Sequence, residues 1–433
     1  MVMGSDTSVT PSGHDIDHAP RNYAPGVRLL CRRMFECRQK NNLTVEDVEH
    51  WLLRAASKVA NAHALVEGFA CRVARAGLGI DRMILNVGTL HPQANGYAWH
   101  WNILDGICDE IQIGEDTLLS DQYRKNPIFR VIEFGEVARV QLSRETASQQ
   151  SSLMAELAHS GFTDYIAMPL SASGEKYNAV TLATLQDGGF DQSQLDRLAR
   201  LLDIFALHVE RHIVSRIAQN ISHTYLGQMA GERVVRGTIK RGTGISIRAI
   251  VWSSDMRDFS GLSEKNDNRV VADVLNGYFS VLADAVIRNG GDVLKFVGDG
   301  LLAVFPLTEF ENPECAAIAA SKAAREAVAD LDRLNQEMSK QPSWRALQTG
   351  IGLHLGEVFF GNIGSSKRLD FTVIGDAVNI ATRIEGLCKT LNRDVLLSSS
   401  VATLLEDQAQ PMGSQSLKGI QKPEEVFALA NCN

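Results

Sequence analysis

Gly298-Asp299-Gly300 interrupts two apolar runs, and that interruption leaves the local chain few shapes to adopt. Val293-Leu294 and Phe296-Val297 precede it, and Leu301-Leu302-Ala303-Val304-Phe305 follows. Strand-forming residues on both sides of a glycine-flanked turn read as a β-hairpin with Asp299 at its tip. A carboxylate held between glycines can approach a metal ion or a phosphate without side-chain crowding. Lys295 lies on the incoming strand, four residues before Asp299. A solvated surface hairpin would look the same, so the reading depends on what accompanies it.

A second aspartate occupies a comparable place. Ile245-Ser246-Ile247-Arg248-Ala249-Ile250-Val251-Trp252 reads as a buried strand, and Asp255 falls where it ends. A helix over about 267–288 follows, with Val271, Leu275, Phe279, Leu282 and Val286 as its apolar stripe and Asn289-Gly290-Gly291 as its C-cap. Two carboxylates at adjacent strand ends are what a pair of hard divalent cations over a triphosphate requires. Further on, Asp370-Phe371-Thr372-Val373-Ile374-Gly375-Asp376 reads as a strand entering a helix of about 376–391, with Asp376 as its cap. Asn379 and Arg383 share one face of that helix, four residues apart. Alternation over Gly350–Val358 gives His354 a structural strand position. Ser416-Leu417-Lys418-Gly419-Ile420 sets a lysine before a glycine near the C-terminus.

Taken in order, these segments resemble the catalytic domain of the class III nucleotidyl cyclases over about residues 245–430. Gly350–Val358 with Gly361–Gly364 resembles the long central hairpin of these domains. The resemblance implies a ferredoxin-like βαββαβ core and two Mg²⁺ or Mn²⁺ ions per site, held by Asp255 and Asp299 with the Met256 backbone beside them. It gives Asn379 the ribose, Arg383 the charge on the transferring phosphate, and Lys418 the triphosphate. A planar, permanently charged guanidinium suits the phosphate role. Lys295 and Thr372 stand at the base-reading positions. Lysine there implies ATP as substrate, since guanylate cyclases usually carry glutamate, although a threonine hydroxyl discriminates less than a carboxylate. The family works as a dimer with composite sites, so a homodimer is expected. A guanylate or dual-specificity cyclase and a non-catalytic cyclase-like regulator are the alternatives.

The rest of the chain sets bounds. At 433 residues it should hold two or three domains. We read a disordered tail at 1–24, a regulatory domain at 25–190, a signalling helix and transducing segment at 191–242, and the catalytic domain at 243–433. A net charge of -8 without a basic stripe argues against a nucleic-acid partner. No apolar run approaches a membrane span, the N-terminus has no signal-peptide core, and seven scattered cysteines fit reduced thiols, so a cytoplasmic location is expected.

Helical periodicity over 44–76 and strand-like runs at 83–87, 165–170 and 179–185 make the regulatory domain a mixed α/β fold, loosely similar to GAF-type sensor domains. His50, His63, His91, His100, His208 and His212 make haem one candidate among small ligands, with Trp99 and Trp101 as walls around His100. Leu195, Leu198, Leu202, Phe205 and Val209 on the exit helix follow three-four spacing and read as a dimerising coiled-coil seam.

Overall fold

The computed structural model describes Arg21, Tyr23 and residues 26–430, apart from 38–42, 92–93, 115–116, 118–120, 144–150, 174–175, 341–343 and 421. The expected tail and Cys432 lie outside the described residues, with the exception of Arg21 and Tyr23. Those two are tied down: Arg21 pairs with Asp105 at 2.6 Å and the Tyr23 hydroxyl donates to Asp109 at 2.6 Å. The chain forms two compact units, Met1–Ile221 and Ser222–Asn433.

The first unit is built on seven antiparallel strands. They are β1 (Val27–Met34), β2 (Arg82–His91), β3 (Ala94–Asn102), β4 (Ile107–Ile113), β5 (Ala138–Gln141), β6 (Asp164–Ser173) and β7 (Lys176–Thr184), paired in the order β1-β4-β3-β2-β7-β6-β5. Alternation along β2 and β3 sends Met83, Leu85, Trp99 and Trp101 to one face, where Val48, Leu52, Phe69 and Phe205 from three helices close over them. Those helices are Val45–Arg54, Ala62–Arg75 and Gln192–Leu226. A Thr44–Asp47 capping box starts the first, and the Asn61 side chain caps the second. The opposite face carries Tyr165, Ala167, Ala179 and Ala183 against the short helices Ile128–Phe134 and Ser152–His159.

Two readings of this half change. Leu195, Leu198, Leu202, Phe205 and Val209 are all buried in the unit's own core, with Phe205 stacked on Phe69 at 4.2 Å. That stripe is consumed by intramolecular packing and cannot also form a dimer seam. The outward face of the same helix instead shows Leu207, Val214 and Ile221, exposed and seven residues apart. Trp99 and Trp101 point away from the side to which His100 points, because neighbours on a strand alternate, so they cannot wall a pocket around it.

The second unit carries eight strands. They are β8 (Gly244–Met256), β9 (Asp292–Val297), β10 (Gly300–Pro306), β11 (Thr349–Gly364), β12 (Leu369–Ile374), β13 (Val395–Ser398), β14 (Ala409–Gln415) and β15 (Glu424–Leu429). Pairing runs β14-β15-β13-β11-β8-β10-β9, with β12 added to the far half of β11. The sheet is mixed, β11 and β13 being its parallel pair. The central segment is one 16-residue strand, β11, whose hairpin partner is β12 rather than its own second half. Helices Asn268–Arg288 and Pro313–Met338 bury one face of the sheet, while Asp376–Leu391 and Gln228–Val235 pack on the other.

Local chemistry explains these elements. The helix Asn268–Arg288 has the expected length, but its buried side turns slightly, taking in Tyr278 in place of Phe279, which packs instead on Phe296 at 4.4 Å. By length and composition it could cross a membrane, which the reading of apolar runs had not suggested. Here its stripe lies in the core and the Tyr278 hydroxyl sits 2.7 Å from Thr349 Oγ1. Asp292, buried at the first residue of β9, accepts the Gln228 and Met229 backbone N–H groups and so caps the helix Gln228–Val235. Asp376 is the first helical residue rather than the cap; Gly375 takes that place, and no side chain bonds there.

Candidate active site

The hairpin forms as read. β9 and β10 are joined by Gly298 and Asp299, with Gly298 at φ +63°, a left-handed conformation that glycine adopts without strain. Gly300 of β10 pairs with Asp255 of β8, so the tip aspartate and the strand-end aspartate are neighbours across the ladder. Their carboxyls lie within hydrogen-bonding reach of each other. Burial, and after it the Asp299 charge, pushes the Asp255 carboxyl up to about 6. Two carboxylates forced together in this way have no ion-pair partner among the described residues, and they are a donor set that hard divalent cations satisfy. Thr349 Oγ1 donates to the Asp255 carbonyl at 3.3 Å, so the strand end is fixed from behind.

A third acid joins this field, and the sequence reading missed it. Glu385, on the helix Asp376–Leu391, is pushed up to about 7 by burial first and then by the Asp255 charge, against the pull of Arg257. Its helix can lie this close because β11 presents glycine: a Cβ at Gly352 would fall 2.3 Å from the Ala381 carbonyl. The available signal was its place two residues beyond Arg383 on a helix already assigned to the site.

The remaining predicted residues divide into two groups. Lys295 lies on β9 opposite Leu302, and Thr372 lies on β12 opposite Gly361, with β9 and β12 approaching each other. Thr372 is buried, and its hydroxyl has no hydrogen-bond partner among the described residues. A buried hydroxyl left in that state suits a polar group brought by a ligand. Asn379 and Arg383 share an exposed face of their helix. Successive helical residues turn by about 100°, so Arg383 points roughly opposite to Glu385 and away from the aspartate pair of its own chain. Lys418 is exposed in a turn after β14, and its neighbour Leu417 is anchored on Ile384 and Cys388 of the same helix. His354 is buried and held below the usual histidine range by that burial, as a structural strand residue would be.

Residues 248–431 match the model of the adenylate and guanylate cyclase catalytic domain. The chain thus carries a class III nucleotidyl cyclase catalytic domain in its C-terminal unit. It is 32% identical over 214 residues to an adenylate cyclase of Anabaena cylindrica, covering 48% of this chain and 38% of that one. It is 31% identical over 183 residues to adenylate cyclase 1 of Rhizobium meliloti, covering 40% of this chain and 26% of the other. The chain therefore spans well under half the length of these curated relatives. A solved adenylyl cyclase from P. aeruginosa overlaps 44% of this chain and 97% of its own, at 26% identity and a TM-score of 0.41.

Proposed function

We propose that the protein is an adenylate cyclase, forming 3′,5′-cyclic AMP and pyrophosphate from ATP as a homodimer under the control of its N-terminal unit. The observation that carries the reading is the Asp255–Asp299 pair: two adjoining carboxylates, one raised to about 6, at adjoining strand ends of a cyclase domain. Asp255, Asp299 and the Met256 backbone would hold two Mg²⁺ or Mn²⁺ ions, which supply charge neutralisation at the triphosphate and a more acidic ribose 3′-hydroxyl.

The other steps fall to side chains. Lys295 donates to the adenine edge and the Thr372 hydroxyl meets the exocyclic amine, which supports ATP over GTP. Asn379 orients the ribose. Arg383 spreads its guanidinium over the α-phosphate as negative charge builds there, and Lys418 holds the outer phosphates. The opposed directions of Arg383 and Glu385 support a site shared between chains, in which one subunit offers the aspartates and its partner offers Asn379 and Arg383. A twofold axis would then make two equal sites. Leu207, Val214 and Ile221, at a seven-residue spacing, supply an exposed stripe through which two such helices could pair in parallel.

Purified protein supplied with Mn²⁺ and either ATP or GTP tests the reading. Cyclic AMP should form faster than cyclic GMP, and Asp255→Ala and Asp299→Ala should each keep less than about a tenth of wild-type turnover, a loss above ~1.4 kcal/mol. Equal rates on both nucleotides would overturn the adenylate assignment. Activity retained in Asp299→Ala would overturn the metal assignment.

A further inference from the structure

The first unit holds a cavity of about 390 Å³, open to solvent on one side, between its sheet and the short helices on the face away from the core of Trp99 and Trp101. This volume lies in the range of small-molecule sites. Most of the wall is apolar, with Ile84, Ile113, Ile128 and Ile132 contributing. Arg82 from β2, His100 from β3, Tyr165 from β6 and Thr181 from β7 lie together on the sheet, and the neutral side chains of Asn86, Asn95, Gln122, Asn126, Ser151 and Ser152 supply the other polar lining.

Arg82 is the anomaly. Two other arginines close to this sheet face have an acid: Arg32 and Arg21 share Asp109, and Arg21 also holds Asp105. The Arg82 side chain makes no ion pair or hydrogen bond among the described residues. Burial draws it below the usual guanidinium range, against which Tyr165 and, after it, Glu156 act only through space. None of these neighbours is an acid paired with it: His100 is pushed down to about 3 by burial and by Arg82, so its ring is neutral. A guanidinium facing a mainly apolar cavity without a counter-charge is costly unless something arrives to pair with it.

We propose that this cavity binds a small, singly charged organic anion, a carboxylate or a phosphodiester. Its charged end pairs bidentately with Arg82, and its apolar body lies against the isoleucine wall. One facing cation and one neutral imidazole match one negative charge, so dianionic phosphate monoesters fit less well. The ligand is the input that the N-terminal unit would sense. This inference rests on the cavity alone and stands whether or not the catalytic unit prefers ATP.

Isothermal titration calorimetry on the full-length protein tests it, with indole-3-acetate, 4-hydroxybenzoate and decanoate as carboxylates, dibutyl phosphate as the phosphodiester, and the matching amides or neutral triester as controls. At least one anion should saturate below millimolar concentration and bind at least tenfold more tightly than its neutral analogue. Arg82→Gln should abolish that preference, and Arg82→Lys should keep part of it. Whichever of the two anion types binds identifies the headgroup. Thermal unfolding of the ligand-free proteins guards against a merely misfolded variant: Arg82→Gln should melt at or above the wild-type temperature, because it removes an unpaired buried charge. The proposal is overturned if no anion binds, if anions and neutral analogues bind alike, if Arg82→Gln binds as wild type does, or if Arg82→Gln melts lower. A Soret band in the purified protein would overturn it in favour of haem.

Discussion

The two units treat buried charge in the same two ways, and the contrast inside each unit is more informative than the contrast between them. In the first, Asp109 and Asp164 are fully buried, and each is held by arginine. Asp164 also receives the Phe190 N–H at 3.0 Å. In the second, Asp292 is buried and satisfied by two backbone N–H groups. These are structural charges, completed by the chain itself. Arg82 in one unit, and Asp255 with Asp299 in the other, are left incomplete among the described residues: an arginine without an ion-paired acid, and two acids without a paired cation. Completed charges hold a fold together, whereas incomplete ones point to a ligand of opposite sign.

The largest effect should come from breaking a completed charge. Asp164→Ala strands Arg139 and the Phe190 N–H, and should lower unfolding free energy by about 3 kcal/mol in denaturant titration. If stability is unchanged, the distinction between structural and functional charges fails in the first unit. A smaller effect, on selectivity rather than folding, should follow from Lys295→Glu. Reversing that charge should erode the ratio of ATP to GTP turnover by about tenfold, ~1.4 kcal/mol, while stability stays within about 0.5 kcal/mol.

The smallest effect has the opposite sign. Metal-free Asp255→Asn should be slightly more stable than wild type at pH 7.5, by less than about 1 kcal/mol because the carboxyl is only partly withdrawn from solvent, which screens it. The Asp255 carboxyl titrates near 6 when folded, against about 4 when unfolded. The folded state therefore holds a proton that the unfolded chain has released, and wild-type stability should fall as pH rises from about 4 to 6. Thermal melts should show that fall weakened in Asp255→Asn. In the wild type, Mn²⁺ at pH 7.5 should offset it.

Much of the catalytic unit could be read from sequence because its signals are local. Gly298-Asp299 sets a turn within two residues, and the run up to Trp252 ends where Asp255 must emerge. Helical faces were less legible. Whether Tyr278 or Phe279 turns inward depends on Phe296 waiting on β9, and no periodicity of the helix alone contains that. The exit helix shows the same limit: its strongest apolar stripe predicts a seam between chains, but Phe69 and the unit's own sheet take it. Glu385 escaped notice because its proximity to Asp255 depends on Gly352 letting the helix down onto β11. The N-terminal cavity was not legible at all. Arg82, His100 and Tyr165 come from three strands, and only the assembled sheet shows that one of them has no partner.

Mixing two inactive variants tests the central claim, an aspartate pair completed by a partner chain, most directly. Asp299→Ala and Arg383→Ala should each be nearly inactive alone. Under conditions shown to exchange subunits, about half the dimers should be mixed, and each can place both lesions in one site and leave the other whole. Cyclic AMP production should then recover to roughly a quarter of wild type, as twofold symmetry requires. If exchange is demonstrated and nothing recovers, the site is not shared, and Arg383 must act with the aspartates of its own chain.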